Sequence, residues 1–255
     1  LLLVPSVWLG VPYQFTGFLQ ILFLPLAIAS FGFLVYKTYG LEASLFGMMI
    51  VLGSFAYVDR VLAVQPQSID FILLPLAYYF LLNAKDNKLL VTSIVGFYNH
   101  GLLNLAIFSG VLIKKLKQKK WIATYLIAIA PLLIVTLYYL VTNQTGPNQF
   151  GVDQGFWSDP YYLITYVRLP TLGFIAAIPL LYLLIKKQPI HPLSKLALLS
   201  LASSSFLILF AADRYMQYAT IPLTLLLVDS YLRIKDKLIR AWLFVGALGF
   251  MALLY

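Results

Sequence analysis

Apolar runs govern what this chain can fold into. Eight stretches, at 16–36, 41–58, 69–82, 121–141, 170–185, 196–212, 215–232 and 239–255, carry almost no charge. A further stretch, 89–113, is apolar except for Tyr98-Asn99-His100-Gly101 near its middle. A helix that crosses a bilayer needs about 20 mainly apolar residues, with a range of roughly 17 to 25. Hydrophobic residues make up 62% of the 255 and charged ones only 11%, whereas a soluble domain carries roughly a quarter charged. These proportions argue against a soluble enzyme, a disordered tail and a nucleic-acid module. The expectation is an all-α fold, a polytopic transmembrane helical bundle of about eight spans plus a short re-entrant helical hairpin at 89–113. The whole of 1–255 then reads as a single transmembrane domain.

The placement of charge sets the expected topology, because cytoplasmic loops are enriched in Lys and Arg. If 89–113 turns back at Asn99-His100-Gly101, 15 of the 18 Lys and Arg residues fall on one side, and only Arg60, Arg168 and Arg214 on the other. A straight span there gives 13 against 5. The hairpin is therefore preferred, and the protein is expected to be integral and multi-pass, with its Lys/Arg-rich loops cytoplasmic and its active face outside. Lys114–Lys120, closed by Trp121, reads as an anchor to anionic membrane lipid. The chain contains no cysteine, which excludes thiol catalysis, cysteine zinc sites and disulfides. It opens on Leu1 and stops at Tyr255 inside an apolar run, so it reads as a piece of a longer protein.

The expected outer face is otherwise nearly uncharged, yet it collects Asp59-Arg60, Asp213-Arg214, Asp70 at the start of the third apolar run, and Arg168 after Asp153 and Asp159. Ionisable groups near hydrocarbon are costly and tend to be paired or functional. All three cations there are arginines, whose planar fork suits bidentate phosphate binding. Helix-end capping accounts for each pair taken singly. His100 and Asn99 at the turn either satisfy loose backbone groups or line a polar cavity. Ser203-Ser204-Ser205 reads as a site of close helix packing. Asn143-Gln144-Thr145 fits the N-glycosylation pattern. No phosphate-binding glycine loop, zinc-helix motif or nucleophile elbow occurs.

The order of features resembles a known group. The connector Tyr36–Ala43, the span ending in Asp59-Arg60, the Gln65-Pro66-Gln67-Ser68 entry, the interrupted hairpin, the lysine-rich connector and Asp213-Arg214-Tyr215-Met216 before Ile221-Pro222 follow the order seen in polyprenyl-phosphate-sugar-dependent GT-C-fold membrane glycosyltransferases. That group includes protein O-mannosyltransferases and aminoarabinose transferases. The resemblance implies an enzyme, a hexosyl or pentosyl transferase moving sugar from a polyprenyl-phosphate donor to a glycan, lipid or protein acceptor. It implies Arg60, Arg214 and Arg168 on the lipid phosphate, with Asp213, Gln67 and His100 also in substrate binding. Asp59 and Asp70 become secondary carboxylates, with the main catalytic acid upstream of residue 1. Where many relatives have Pro-Asp, this chain has Pro66-Gln67. No cofactor follows with certainty; a divalent metal is compatible with the group. No nucleic-acid partner is expected. Two alternatives stand beside the transferase, a transporter or flippase-like protein for a lipid-linked or anionic substrate, and a non-catalytic membrane subunit.

Overall fold

The computed structural model describes residues 12–62, 66–142, 185, 189–205 and 212–252. Ten helices lie among them. They are α1 (Pro12–Tyr39), α2 (Leu41–Leu52), α3 (Phe55–Leu62), α4 (Pro66–Leu82), α5 (Asp86–Ile107), α6 (Ser109–Lys115), α7 (Lys119–Val141), α8 (Pro192–Ser204), α9 (Ala212–Arg233) and α10 (Lys237–Ala252). Pro66 and Pro192 open their helices, where the missing N–H costs nothing and the fixed φ already suits the first turn. His191 caps α8 through Nδ1, which accepts the Leu193 N–H at 3.2 Å.

Helix α5 leaves helical geometry at His100 (φ −144°, ψ 27°) and Gly101 (φ 50°, ψ −129°). Only glycine tolerates that second conformation without a steric penalty. Beyond it the chain doubles back. A Cβ on Gly96 would lie 3.0 Å from the Phe108 ring and 3.1 Å from Asn104 Oδ1. At the open end of this hairpin, Lys115 forms an ion pair with Asp86, and the Trp121 indole N–H donates to the Asp86 carbonyl at 3.2 Å.

The hairpin packs against α4, α7 and α8, while α1, α3 and α9 also pack against α4 and α2 packs on α1 and α9. Phe31, Leu34, Phe71, Leu74, Tyr78, Phe97, Phe108, Leu193 and Leu225 fill the shared core and are almost fully buried. Helices α6 and α8 touch backbone to backbone, since a Cβ on Gly110 would fall 2.8 Å from Ser200 Cα and 2.9 Å from its N.

This architecture corrects the eight-span expectation. Among the described residues only two helices, Gly17–Tyr39 within α1 and Lys119–Tyr138 within α7, are long and apolar enough to cross a membrane. The apolar run at 41–58 is cut in two by Gly53 and Ser54, leaving α2 at 12 residues, about 18 Å against a hydrocarbon core of about 30 Å. Helix α8 has 13 residues and α4 has 17, and both spend their apolar side chains on neighbouring helices. Helix α9 carries Asp213, Arg214, Asp229 and Arg233, which dilutes its apolar character. An integral multi-pass arrangement is therefore not what these helices form, and the localisation drawn from it is withdrawn as well. Hydropathy windows count apolar residues without distinguishing burial against protein from exposure to lipid. The expected span at 170–185 and the loop with Asn143-Gln144-Thr145 fall outside the described residues, apart from Ile185.

Gly110→Ala forces the α6 and α8 backbones apart. A loss of at least about 2 kcal/mol is expected, read from the shift in a chemical unfolding curve.

Candidate functional site

The most unusual side chain in the described structure is Asp70, in the second turn of α4. It is fully buried. Asn99 Nδ2 donates to Oδ1 at 3.1 Å, while Asn104 Nδ2 and Tyr218 Oη donate to Oδ2 at 3.3 and 3.1 Å. Asn99 and Asn104 stand on opposite arms of the hairpin turn, and Tyr218 comes from α9. One carboxylate thus ties together α4, both arms of the hairpin and α9.

Comparison with the other described acids shows what sets Asp70 apart. Asp86 pairs with Lys115, Asp229 with Arg233 at 3.2 Å, and Glu42 with Arg240 at 3.5 Å. Asp236 caps α10 by accepting the N–H groups of Leu238 and Ile239. All three hydrogen-bond partners of Asp70 are neutral. Burial raises its carboxyl from the usual 3.8 to about 7, against the opposite pull of the three donors, which favour the charged form. Helix α4 is not one of the two helices that could cross a membrane.

Buried polar groups without partners lie on the helices that pack against α4. Asn104 Oδ1 and the whole Gln217 amide are buried and make no hydrogen bond. Tyr57 Oη is likewise without one, and its ring meets Phe71, which stacks on Tyr218 at 5.2 Å between centroids. A cavity of about 10 Å³ is lined by Tyr218, Tyr78, Ser200 and Ser204 together with Leu74, Ile107, Ala219 and Pro222. That volume holds about one water molecule. Neither the Tyr78 hydroxyl nor the Ser200 hydroxyl makes a well-formed hydrogen bond, so a water there has partners to serve. The Tyr218 side chain connects this cavity to Asp70.

Of the site residues expected from the sequence, Asp70 and His100 are described to the side chain. His100 sits at the non-helical turn, half-buried, next to Asn99. Asp59 and Arg60 lie on α3, Gln67 in the first turn of α4, and Asp213 and Arg214 in the first turn of α9; their side chains fall outside the described set. Arg168 lies outside the described residues altogether. Helices α3, α4 and α9 are in mutual contact, and these ends lie at the same end of the bundle as Asp70. Sequence reasoning missed Asn104, Tyr218, Tyr78 and Ser200. Each looks ordinary alone, and its partner is remote in sequence; 148 residues separate Asp70 from Tyr218.

At the opposite end, Ser194, His191 and Asp229 lie close enough to suggest a nucleophilic triad. The wiring is wrong for one. Ser194 Oγ donates directly to Asp229 Oδ2 at 2.7 Å, and His191 spends Nδ1 on the cap of α8. The imidazole therefore presents no base to the serine. Among the described residues no three His, Cys, Asp or Glu side chains come together to hold a metal ion.

No protein-family model, no curated protein and no solved structure matches this chain. With no family match, and with two candidate spans where the group's architecture requires many, the GT-C resemblance is withdrawn. With it go the membrane glycosyltransferase activity, the transporter or flippase-like alternative and the membrane-subunit alternative, since each assumed the multi-pass bundle.

Asp70→Ala strands three buried donors and is expected to cost about 3 kcal/mol or more. Asp70→Asn keeps an acceptor oxygen and is expected to cost less than about 2 kcal/mol, with Tyr218→Phe near 1 kcal/mol. Urea unfolding of the three variants checks both the sizes and their order.

Proposed function

We propose that the protein is a proton-responsive helical domain, in which reversible protonation of Asp70 controls how firmly the 86–115 hairpin is held against α4 and α9. The observation that carries this reading is a fully buried carboxylate held by three neutral donors at the junction of those elements. When charged, it accepts all three bonds but bears an uncompensated charge in a low-dielectric core. When protonated, it sheds that charge but turns one acceptor position into a donor, so at least one of the three bonds must rearrange. The Asn104 amide can turn to meet it, because its Oδ1 is unpartnered. The water-sized cavity lined by Tyr218 offers a place for a proton to arrive or leave.

The sign of the pH dependence follows from the raised carboxyl. The folded chain holds this proton more tightly than the unfolded chain, so the stabilisation is complete below the ordinary carboxyl value of 3.8. It is lost progressively as the pH climbs to about 7. Thermal unfolding of the wild-type chain is expected to show stability falling by a few kcal/mol on the order-of-magnitude scale of one pKa unit per 1.4 kcal/mol. Asp70→Asn removes the titration and is expected to be flat over the same window. Equal slopes in wild type and variant would sink the reading.

A second reading concerns the same end of the bundle. Asp59 and Arg60 lie on α3, Gln67 in the first turn of α4, and Asp213 and Arg214 in the first turn of α9, three helices in mutual contact. We propose that this end takes a phosphate-bearing ligand, of which a polyprenyl-phosphate sugar is one form, by binding alone. Arg60→Ala and Arg214→Ala are each expected to weaken binding of a polyprenyl phosphate by roughly tenfold or more, the scale of one lost charge-assisted contact. Equilibrium binding by fluorescence or calorimetry provides the check, and unchanged affinity in both variants would remove this reading.

A further inference from the structure

Helix α7 leaves most of its apolar surface uncovered by the rest of the described structure. Its 20-residue stretch Lys119–Tyr138 has a mean hydropathy of 2.0, and only 17% of it is buried. Leu126, Ile127, Ile134, Val135, Leu137 and Val141 are exposed, Ile127 to 75% and Val141 to 84%. Twenty helical residues measure about 30 Å, which equals the hydrocarbon thickness of a bilayer. Three threonines along this helix and at its end turn their hydroxyls back onto the backbone. The hydroxyls of Thr124, Thr136 and Thr142 donate to the carbonyls of Lys120, Leu132 and Tyr138, at 2.9, 2.8 and 2.8 Å. These bonds leave the three hydroxyls satisfied without water, as contact with hydrocarbon requires.

The N-terminal end of the same helix carries the opposite character. Lys114, Lys117, Lys119 and Lys120 are all exposed there, and the first turn of α7 contains no acidic residue. Lysines at this end face the positive pole of the helix dipole, an arrangement that costs free energy unless an anion sits against it. Only Lys115 of this run is neutralised by a described acid, Asp86.

We propose that the outward face of α7 packs against the acyl chains of an anionic bilayer, with Lys114, Lys117, Lys119 and Lys120 in its phosphate headgroups. Charge complementarity selects this occupant over a second copy of the chain. A second copy would have to supply acids to four lysines, and of the five described acids Glu42, Asp86 and Asp229 are already paired, Asp236 caps α10 and Asp70 is fully buried. The inference is independent of the Asp70 reading.

The chain has no cysteine, so Ile134→Cys, labelled with an environment-sensitive fluorophore, reports on this face alone. The labelled full chain is mixed with phosphatidylcholine vesicles that either contain or lack phosphatidylglycerol. The expected result is a blue shift with the anionic vesicles, quenched by brominated acyl chains. The triple variant Lys117→Gln, Lys119→Gln, Lys120→Gln, all at exposed positions, is expected to reduce vesicle binding by about tenfold or more, as anticipated when three lysines leave an anionic surface. A label that stays in water with anionic vesicles overturns the proposal. So does equal binding by the triple variant and the parent. A blue shift without lipid that grows with protein concentration also overturns it and assigns the face to self-association.

Discussion

A single buried carboxylate organises the upper half of this structure. Asp70 holds one donor from each arm of a helical hairpin and a third from α9. Its geometry follows from the turn at His100 and Gly101. Without the reversal there, Asn99 and Asn104 would lie on one continuous helix rather than closing on the same acid from both sides. The hairpin in turn presents Gly110 to α8 at backbone distance and leaves Gly96 beside Phe108 on the returning arm. Remove the acid, and two arms, α4 and α9 lose their common point.

Polarity divides the bundle between its ends. Among the described side chains, one end gathers neutral amides, phenols and a carboxylate with neutral partners. At the other, where α1 meets α2, α4 meets α5, α6 meets α7 and α9 meets α10, each buried or half-buried charge has an opposite charge beside it. Tyr39, Ser194, Asp229 and Arg233 form one such cluster, and Tyr231 joins Glu42 and Arg240 in another. Salt links of this kind add little net stability when solvent reaches them, but they fix which helix ends are neighbours. Among the described side chains, the Asp70 end is held by hydrogen bonds to that carboxylate rather than by ion pairs.

Much of the local structure can be read directly from the residues. Gly101 after a polar triplet marks a break, Pro66 and Pro192 mark helix starts, and Gly53-Ser54 interrupts an apolar run. What the residues do not reveal is where each apolar face goes. Leu193, Phe71 and Leu225 are as apolar as Ile127 and Ile134, yet the first three are buried in protein and the last two are exposed. Counting all of them toward spans produced eight crossings from helices that mostly cover one another. The candidate site was half legible for a similar reason. An acid at the start of an apolar run stands out by its cost, whereas an asparagine 34 residues away and a tyrosine 148 residues away do not announce that they serve it.

The contact between Asp86 and Lys115 also bears on the order of assembly. It closes a segment separated by only 29 residues, and short loops lose little chain entropy on closing. The link from Tyr218 to Asp70 must bring together groups 148 residues apart, a far slower event in a chain whose folding speed tracks sequence separation. Chain entropy thus favours closing the hairpin, with Asn99 and Asn104 beside the acid, ahead of docking α9. Docking of α9 then completes the third bond and commits the chain to one arrangement of its two halves.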